Sequence, residues 1–420
     1  MVKKYIQPNG LRVILEPVNS AVSVSAGLWL TCGSRDEMPD QYGYAHFVEH
    51  MLFKGTQKYS AKDLARMVDR VGGQHNAATN REYTCYYINV MADQLEMAVE
   101  ILSEMYYNPL FDSSELEKEK NVIIEEIMMY EDTPDEYVHD LFVEYMLQGH
   151  PLSHPILGTS DTISATTDKK LREFYANNYR NDNAIFVIAG NFDADKASDL
   201  INKCFDKNNS NSNAKQIIAV EKPTRTLFKH TQRDIEQMHF CIGAEGLQRS
   251  EDDRWVLYAL STILGGSMSS RLFQKVREEA GLCYSIYSFH SSFSDLGVFG
   301  IYCATGNGNF SKTIDLIMNE CRTIVKNGIT DEELLDAKTF MKGNLALSLE
   351  SIEVRMGQLA RNEISFGKHF SFNDVLQQID GINKDDFMRV TNRLFADREL
   401  SLISVGKQPS EFQKNVNLRI

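Results

Sequence analysis

The feature that most constrains this chain is a spacing of 216 residues that relates its two halves. In the first half, Leu171 to Tyr179 leads into the apolar run Ala184 to Gly190; in the second, Phe387 to Phe395 leads into Leu400 to Gly406, and Gly190 and Gly406 stand 216 positions apart. The alternating segment around Gly27 meets its counterpart around Gly243 at the same offset. A spacing that recurs at both ends of each half marks two copies of one structural unit. Between them lies Lys207-Asn208-Asn209-Ser210-Asn211-Ser212-Asn213-Ala214-Lys215, which has almost no apolar surface to bury and reads as an exposed linker. The expected organisation is a domain over residues 1–206, a linker over 207–216 and a homologous domain over 217–420.

Within the first copy, Gln7-Pro8-Asn9-Gly10 forms a hairpin turn between short strands. Val22, Val24, Ala26, Leu28 and Leu30 alternate with Ser23, Ser25, Gly27 and Trp29, the period of a strand with one well-buried face. A helix follows over Ala45 to Phe53. A second opens at the capping sequence Ser60-Ala61-Lys62-Asp63, buries Leu64, Val68 and Val71, and stops at Gly72-Gly73. Glu82 to Met91, rich in Tyr, Thr, Ile and Val, reads as a strand. Helices are expected over about Asp93 to Tyr107 and Ser114 to Tyr130, the latter opened by Ser114-x-x-Glu117 and stopped before Pro134. Strands joined by tight hairpins and mixed with helices define an α+β class: two homologous domains, each a mainly antiparallel sheet packed with helices.

The chain has 420 residues, 43% of them hydrophobic, and a formal net charge of −14. No stretch approaches the run of about 18 uncharged apolar residues that a membrane helix needs, so no membrane partner is expected. Met1-Val2-Lys3-Lys4-Tyr5 leads into polar residues without an apolar signal core or an Arg-rich transit segment; the expected location is a bacterial cytoplasm, with a trimmed mature form in the mitochondrial matrix as the alternative. The acid excess argues against a phosphate backbone as ligand, which removes nucleic acid from the expected partners. Seven cysteines, far apart and never in C-x-x-C, read as reduced and mostly buried thiols.

The chemistry concentrates in His46-Phe47-Val48-Glu49-His50. On a helix, residues four apart lie one turn above each other, so His46 and His50 present their imidazoles to one point and Glu49 lies on nearly the same face. Two neutral imidazoles beside a carboxylate suit a hydrolytic zinc site, in which the histidines hold the ion and Glu49 takes a proton from water. A catalytic zinc has three protein ligands and one open position, which predicts a third ligand elsewhere. The expected helix Ser114 to Tyr130 offers Glu115, Glu117, Glu119, Glu125 and Glu126 beside its ordinary apolar face of Leu116, Val122, Ile123 and Ile127. Glu119 and Glu126, seven apart, share one stripe. One would serve as ligand and the other as its support; spacing does not choose between them.

With these residues in view, the chain resembles the pitrilysin/insulysin-type zinc metallopeptidases, whose His-x-x-Glu-His order reverses the commoner zinc-protease motif. Within them it is most similar to mitochondrial processing peptidase beta subunits and their bacterial relatives. The likeness runs through Gly27 to Glu37, HFVEHMLFKGT from His46 to Thr56, Gly72-Gly73-x-x-Asn76-Ala77-x-Thr79, Glu119-x-x-Val122-Ile123-x-Glu125-Glu126 and the duplicated second half. The resemblance implies one zinc per chain. It implies that the third ligand is the glutamate 76 positions beyond the second histidine, Glu126, with Glu119 in support. It also implies that substrate adds as a β-strand beside Asn76 and Ala77, a mode in which main-chain hydrogen bonds hold an extended peptide with little demand on sequence.

The second copy lacks the metal residues: at the 216 offset, His46, Glu49, His50 and Glu126 fall on Thr262, Gly265, Gly266 and Lys342. It retains Arg277-Glu278-Glu279-Ala280-Gly281-Leu282-Cys283-Tyr284, and the resemblance implies that Arg277 and Tyr284 reach substrate. An arginine cation and a phenol O–H can bind a scissile carbonyl as negative charge develops there. The full expectation is a zinc metalloendopeptidase that cuts extended, unstructured peptides inside a closed chamber. One chain supplies half of the four-unit clamshell of the long family members, so a homodimer with Arg277 and Tyr284 acting in trans is expected. An acid-lined chamber would favour cationic peptides. Two other readings compete: a non-catalytic structural or substrate-binding subunit, which the intact metal motif opposes, and a metal-dependent hydrolase of another class, which the peptide-bearing strand opposes.

Overall fold

The computed structural model describes residues 2–209, 226–407 and 417–420. Six strands form the sheet of the first unit: β1 (Lys3–Ile6), β2 (Arg12–Pro17), β3 (Ser23–Leu30), β4 (Gln74–Thr79), β5 (Thr84–Met91) and β6 (Ala184–Gly190). Their spatial order is β1-β2-β6-β3-β5-β4, with β2 and β6 parallel and every other pair antiparallel. Five more strands, β7 (Phe228–Gln232), β8 (Gln237–Glu245), β9 (Cys283–Ser292), β10 (Gly297–Gly306) and β11 (Ser401–Gly406), form the sheet of the second unit in the order β7-β11-β8-β10-β9. There β7 and β11 are the parallel pair. The same arrangement therefore occurs twice, with β6 and β11 in the positions that the repeated apolar runs predict. This is an α+β fold of two homologous units.

Four helices of the first half follow the expected segments: α1 (Tyr44–Leu52), α2 (Ala61–Asp69), α3 (Leu95–Tyr107) and α4 (Ser113–Glu131); a further helix, α5 (Pro134–Met146), opens at the proline where the expected helix stops and had no counterpart in the expectation. Ser60 caps α2 as its sequence predicts, accepting the Asp63 amide. The start of α4 differs from expectation. Asp112, rather than Ser114, caps it, its Oδ1 accepting the amides of Ser114 at 2.8 Å and Glu115 at 3.1 Å, because the chain enters the helix one residue earlier.

The compact units do not coincide with the two halves of the sequence. Of the described residues, one unit takes those within Met1–Met129, His154–Ala219 and Leu347–His369; the other takes those within Tyr130–Ser153, Val220–Ala346 and Phe370–Ile420. Helix α5 thus belongs to the second sheet, and the helix Ile352–Phe366, its counterpart in the repeat, belongs to the first. Each covers the sheet face that its unit's other helices leave bare. In the first unit, Met356, Leu359 and Ala360 pack on Ile14, Trp29, Ile185, Val187 and Ala189. In the second, Val138, Phe142 and Val143 pack on Cys241, Val298, Ile403 and Val405. At about 1.5–3 kcal/mol for each apolar side chain fully buried, either helix is a major part of its unit's core.

This exchange also explains why β3 is buried on both faces rather than one. Gly27, on the face carrying Trp29, lies where an added Cβ would come 2.5 Å from the Trp29 ring and 3.2 Å from the Met356 sulfur. Its repeat partner Gly243 occupies the corresponding place, 2.7 Å from the Phe142 ring by the same construction. Both glycines keep the exchanged helix close to the sheet.

Residues 210–216 of the expected linker lie outside the described residues. The described part is exposed, and the carbonyl of Lys207 accepts from the Asn181 side chain at 2.7 Å. Among the described residues no disulfide forms and five of the seven cysteines are buried. No described helix is long and apolar enough to cross a membrane.

Candidate metal centre

Helix α1 is only nine residues long and starts after Gly43, whose φ of +93° a residue with a side chain rarely adopts. Gly43 has no side chain to cap the helix, and the carboxylate of Glu37 does so from six residues upstream. Its Oε2 accepts the Gly43 amide at 2.9 Å and its Oε1 the Ala45 amide at 2.7 Å. The Nε2 of His154 lies 3.2 Å from the same carboxylate and 2.7 Å from the carbonyl oxygen of Ser34, while its ring stacks on Tyr42 at 3.9 Å. Burial raises the Glu37 pKa to about 6 against the opposing pull of these hydrogen bonds.

From this anchored start, His46 occupies the first turn and His50 the last, their ring centroids 4.6 Å apart. Helix α4 brings the third donor: Glu126 Oε2 lies 3.7 Å from His46 Nε2 and 3.6 Å from His50 Nε2. The ligand atoms of the three residues all fall within 4.8 Å of one another, and no other group of three or more metal-binding side chains gathers in this way among the described residues. These separations suit donors around a single ion at bond lengths of about 2.0–2.2 Å. Burial, with His50 close by, pushes the His46 pKa down to about 3, which keeps its imidazole neutral as a ligand must be.

The two glutamates that spacing does not distinguish stand differently toward the histidines. Glu119 points at the back of His50, with Oε2 3.0 Å from Nδ1, while its other oxygen pairs with Lys54. A carboxylate in that position fixes the histidine tautomer and turns Nε2 toward the centre. Glu115 and Glu117 instead pair with Lys118 and Lys120, and Glu125 is exposed.

Glu49 stands beside the three donors, and the Thr79 hydroxyl donates to its Oε2. Its pKa is raised, chiefly by burial, with the Thr79 hydrogen bond and His50 opposing and Glu126 adding to the rise. Thr79 ends β4, which pairs only with β5 and leaves its other edge without a strand among the described residues. Asn76 and Ala77 lie on this edge strand, and the Ala77 amide is covered by the side chain of Asn76 itself at 2.9 Å. Phe53, Leu64, Val68, His75, Asn76 and Met105 are among the residues lining a recess beside it.

In the second unit, Arg277 lies on a π-helical turn, Phe273–Glu279, and its guanidinium stands over the rings of Phe273 at 4.4 Å and Tyr284 at 5.1 Å. Tyr284 is 77% exposed. The positions corresponding to the metal residues are closed: a Cβ at Gly265 would come 2.4 Å from the Ser288 backbone nitrogen, and Lys342 pairs with Asp380 at 2.7 Å.

Sequence reasoning passed over Glu37, Lys54, Thr79 and His154 as site residues. Thr79 had a usable signal, since on a strand that passes a general base every second side chain shares its face. Glu37 and His154 had none, because loop residues carry no periodicity.

Residues 12–160 match the family described as insulinase, peptidase family M16, and residues 166–341 match the peptidase M16 inactive domain. The chain is 40% identical to the Bacillus subtilis protein named uncharacterized zinc protease YmxG, over 98% of this chain and 100% of that one. It is 36% identical to the Streptomyces coelicolor uncharacterized zinc protease SCO5738, over 96% and 89%. Its fold is similar to that of a protease from Helicobacter pylori (TM-score 0.90, 24% identity, 96% of this chain and 99% of that one). It is also similar to a peptidase M16 inactive domain structure from Pseudomonas fluorescens (TM-score 0.89, 20% identity, 97% and 99%). Together with the two repeated α+β units, these matches show that the chain belongs to the M16 family of pitrilysin-type zinc proteases.

Proposed function

We propose that the protein is a zinc-dependent endopeptidase that cleaves extended peptides, with His46, His50 and Glu126 as ligands to one zinc per chain and Glu49 as general base. The observation that carries this reading is the convergence of two imidazoles, the Glu126 carboxylate and a second, half-buried carboxylate beside the free edge of β4. Zinc held there would supply Lewis acidity, making water acidic and polarising a carbonyl. Glu49 takes the proton from water and returns it to the leaving amine, and burial, which raises its pKa, suits it to both tasks. The Thr79 hydroxyl and backbone amide both donate to this carboxylate and hold it in place.

An extended peptide pairing with β4 would displace the Asn76 side chain from the Ala77 amide and place its main chain alongside Glu49. Arg277, half-buried, and Tyr284, exposed, stacked together, would bind the substrate carbonyl across a dimer, so that the two units of one chain and those of its partner enclose a chamber. The acidic net charge of −14 favours cationic peptides, and a cytoplasmic location fits this reading.

The test is cleavage of a quenched, unstructured peptide by the purified protein before and after removal of metal by a chelator, beside Glu49→Gln. Activity that a chelator abolishes and zinc restores is expected, with Glu49→Gln retaining zinc and losing turnover. Full activity in Glu49→Gln would reject the assignment of the base.

A further inference from the structure

The two histidines of the centre are held differently. His50 has a partner at its outer ring nitrogen, the carboxylate of Glu119 at 3.0 Å. His46 has none: its Nδ1 is buried and makes no hydrogen bond. Metal-binding histidines are ordinarily oriented through that second nitrogen. With no such partner, the direction of the His46 ring rests on the packing around it and on the backbone that carries it.

That backbone is the first turn of a nine-residue helix, where amides without intrahelical partners leave the chain free to fray. Two of those amides, Gly43 and Ala45, are taken by one buried carboxylate, Glu37, and the second of them immediately precedes His46. Glu37 is fixed in turn. His154 stands against it, stacked on Tyr42, and the Tyr42 carbonyl accepts from Thr162 at 2.7 Å. Gly158 lies under the same carbonyl so closely that a Cβ there would come 2.2 Å from the oxygen. The segment from His154 to Thr162 thus clamps the entry to α1.

We propose that Glu37, steadied by His154, is the positioning residue for His46, doing through the helix start what Glu119 does through the ring of His50. A negative charge at a helix N-terminus also interacts favourably with the helix dipole, which strengthens the hold. Neither residue touches substrate. The inference rests on the metal-site reading above and adds to it a residue outside the motif.

The test is zinc affinity, measured by competition with a chromophoric chelator on Glu37→Gln, Glu37→Asp and His154→Gln. A matched control is Glu363→Gln, which removes a comparably buried carboxylate, paired with Lys4 and Arg12 in the same unit but remote in function. The expected result is zinc bound on the order of 10–100-fold more weakly by Glu37→Gln, less weakly by His154→Gln, and within twofold of wild type by Glu363→Gln at similar loss of stability. Equal affinity in Glu37→Gln and wild type overturns the inference, as does equal weakening in Glu37→Gln and Glu363→Gln. If Glu37→Gln does not fold, Glu37→Asp is read by the same criteria, and failure of both overturns it by making the carboxylate a requirement of folding. Should wild type bind no zinc that His46→Ala abolishes, the metal-site reading itself falls, an outcome distinct from the others.

Discussion

Glu119 Oε2 lies 3.0 Å from Nδ1 of His50, so the opposite nitrogen of the ring faces Glu126 at 3.6 Å. In the proposed metal centre one glutamate would orient a ligand and another, seven residues on, would complete the set.

Replacing Glu119 with alanine should lower zinc affinity on the order of 10–100-fold. It would also leave Lys54 without its partner beside the site. Isothermal titration of the metal-free protein measures this; unchanged affinity would mean that Glu119 serves α4 alone.

Thr79→Val removes the hydroxyl that donates to Glu49 while keeping a β-branched side chain suited to the strand. A hydrogen bond to a charged group contributes about 1.5–3 kcal/mol, so kcat should fall about 10–100-fold with zinc content unchanged. A variant with normal kcat would show that the backbone amide at this position, which also donates to Glu49, is enough to hold it.

The raised pKa of Glu37, about 6 against an ordinary 4.5, has a definite sign in stability. Between those values the folded protein binds the proton that the unfolded chain has released. The group's contribution is therefore full below about pH 4.5 and is lost as the pH rises through about 6. Relative to Glu37→Gln, which cannot ionise, wild type should lose about 2 kcal/mol of unfolding free energy between pH 4 and pH 7. Urea unfolding at the two pH values tests this, and a gain for wild type over the same interval refutes it.

Glu49→Gln and Arg277→Ala should each be nearly inactive alone. Mixed and allowed to exchange protomers, they should recover part of wild-type turnover, because one mixed arrangement pairs an intact metal centre with an intact Arg277. No recovery in verified mixed dimers would confine both motifs to one chain.

Much of this site was legible because its parts obey helical geometry. The spacing of His46, Glu49 and His50 fixes a shared face, and the seven-residue interval between Glu119 and Glu126 fixes a stripe. Their division of labour was not legible from spacing, since both lie on one face of α4 and only the position of His50 separates them. The family resemblance named Glu126, whose Oε2 lies 3.7 Å from His46 Nε2 and 3.6 Å from His50 Nε2. Glu37 escaped notice for another reason: it caps a helix from a loop six residues away, and loops impose no period. The duplication was visible in the strands: β6 is apolar throughout, β11 interrupts its apolar residues only with Ser401 and Ser404, and both are buried along their whole length. The exchange of helices was invisible because an apolar face shows that a helix is buried, not which sheet buries it. The same ambiguity made β3 read as a strand with one buried face.

That exchange sets a schedule for synthesis. β6 ends at Gly190, yet the helix that covers the outer face of its sheet begins only at Ile352, more than 160 residues later. At ribosomal speeds of roughly 5–20 residues per second, the nascent first sheet waits on the order of 10 s or more with Trp29, Ile185 and Val187 uncovered. A messenger truncated between the halves would leave that surface permanently bare. The two copies, though built alike, mature together or not at all.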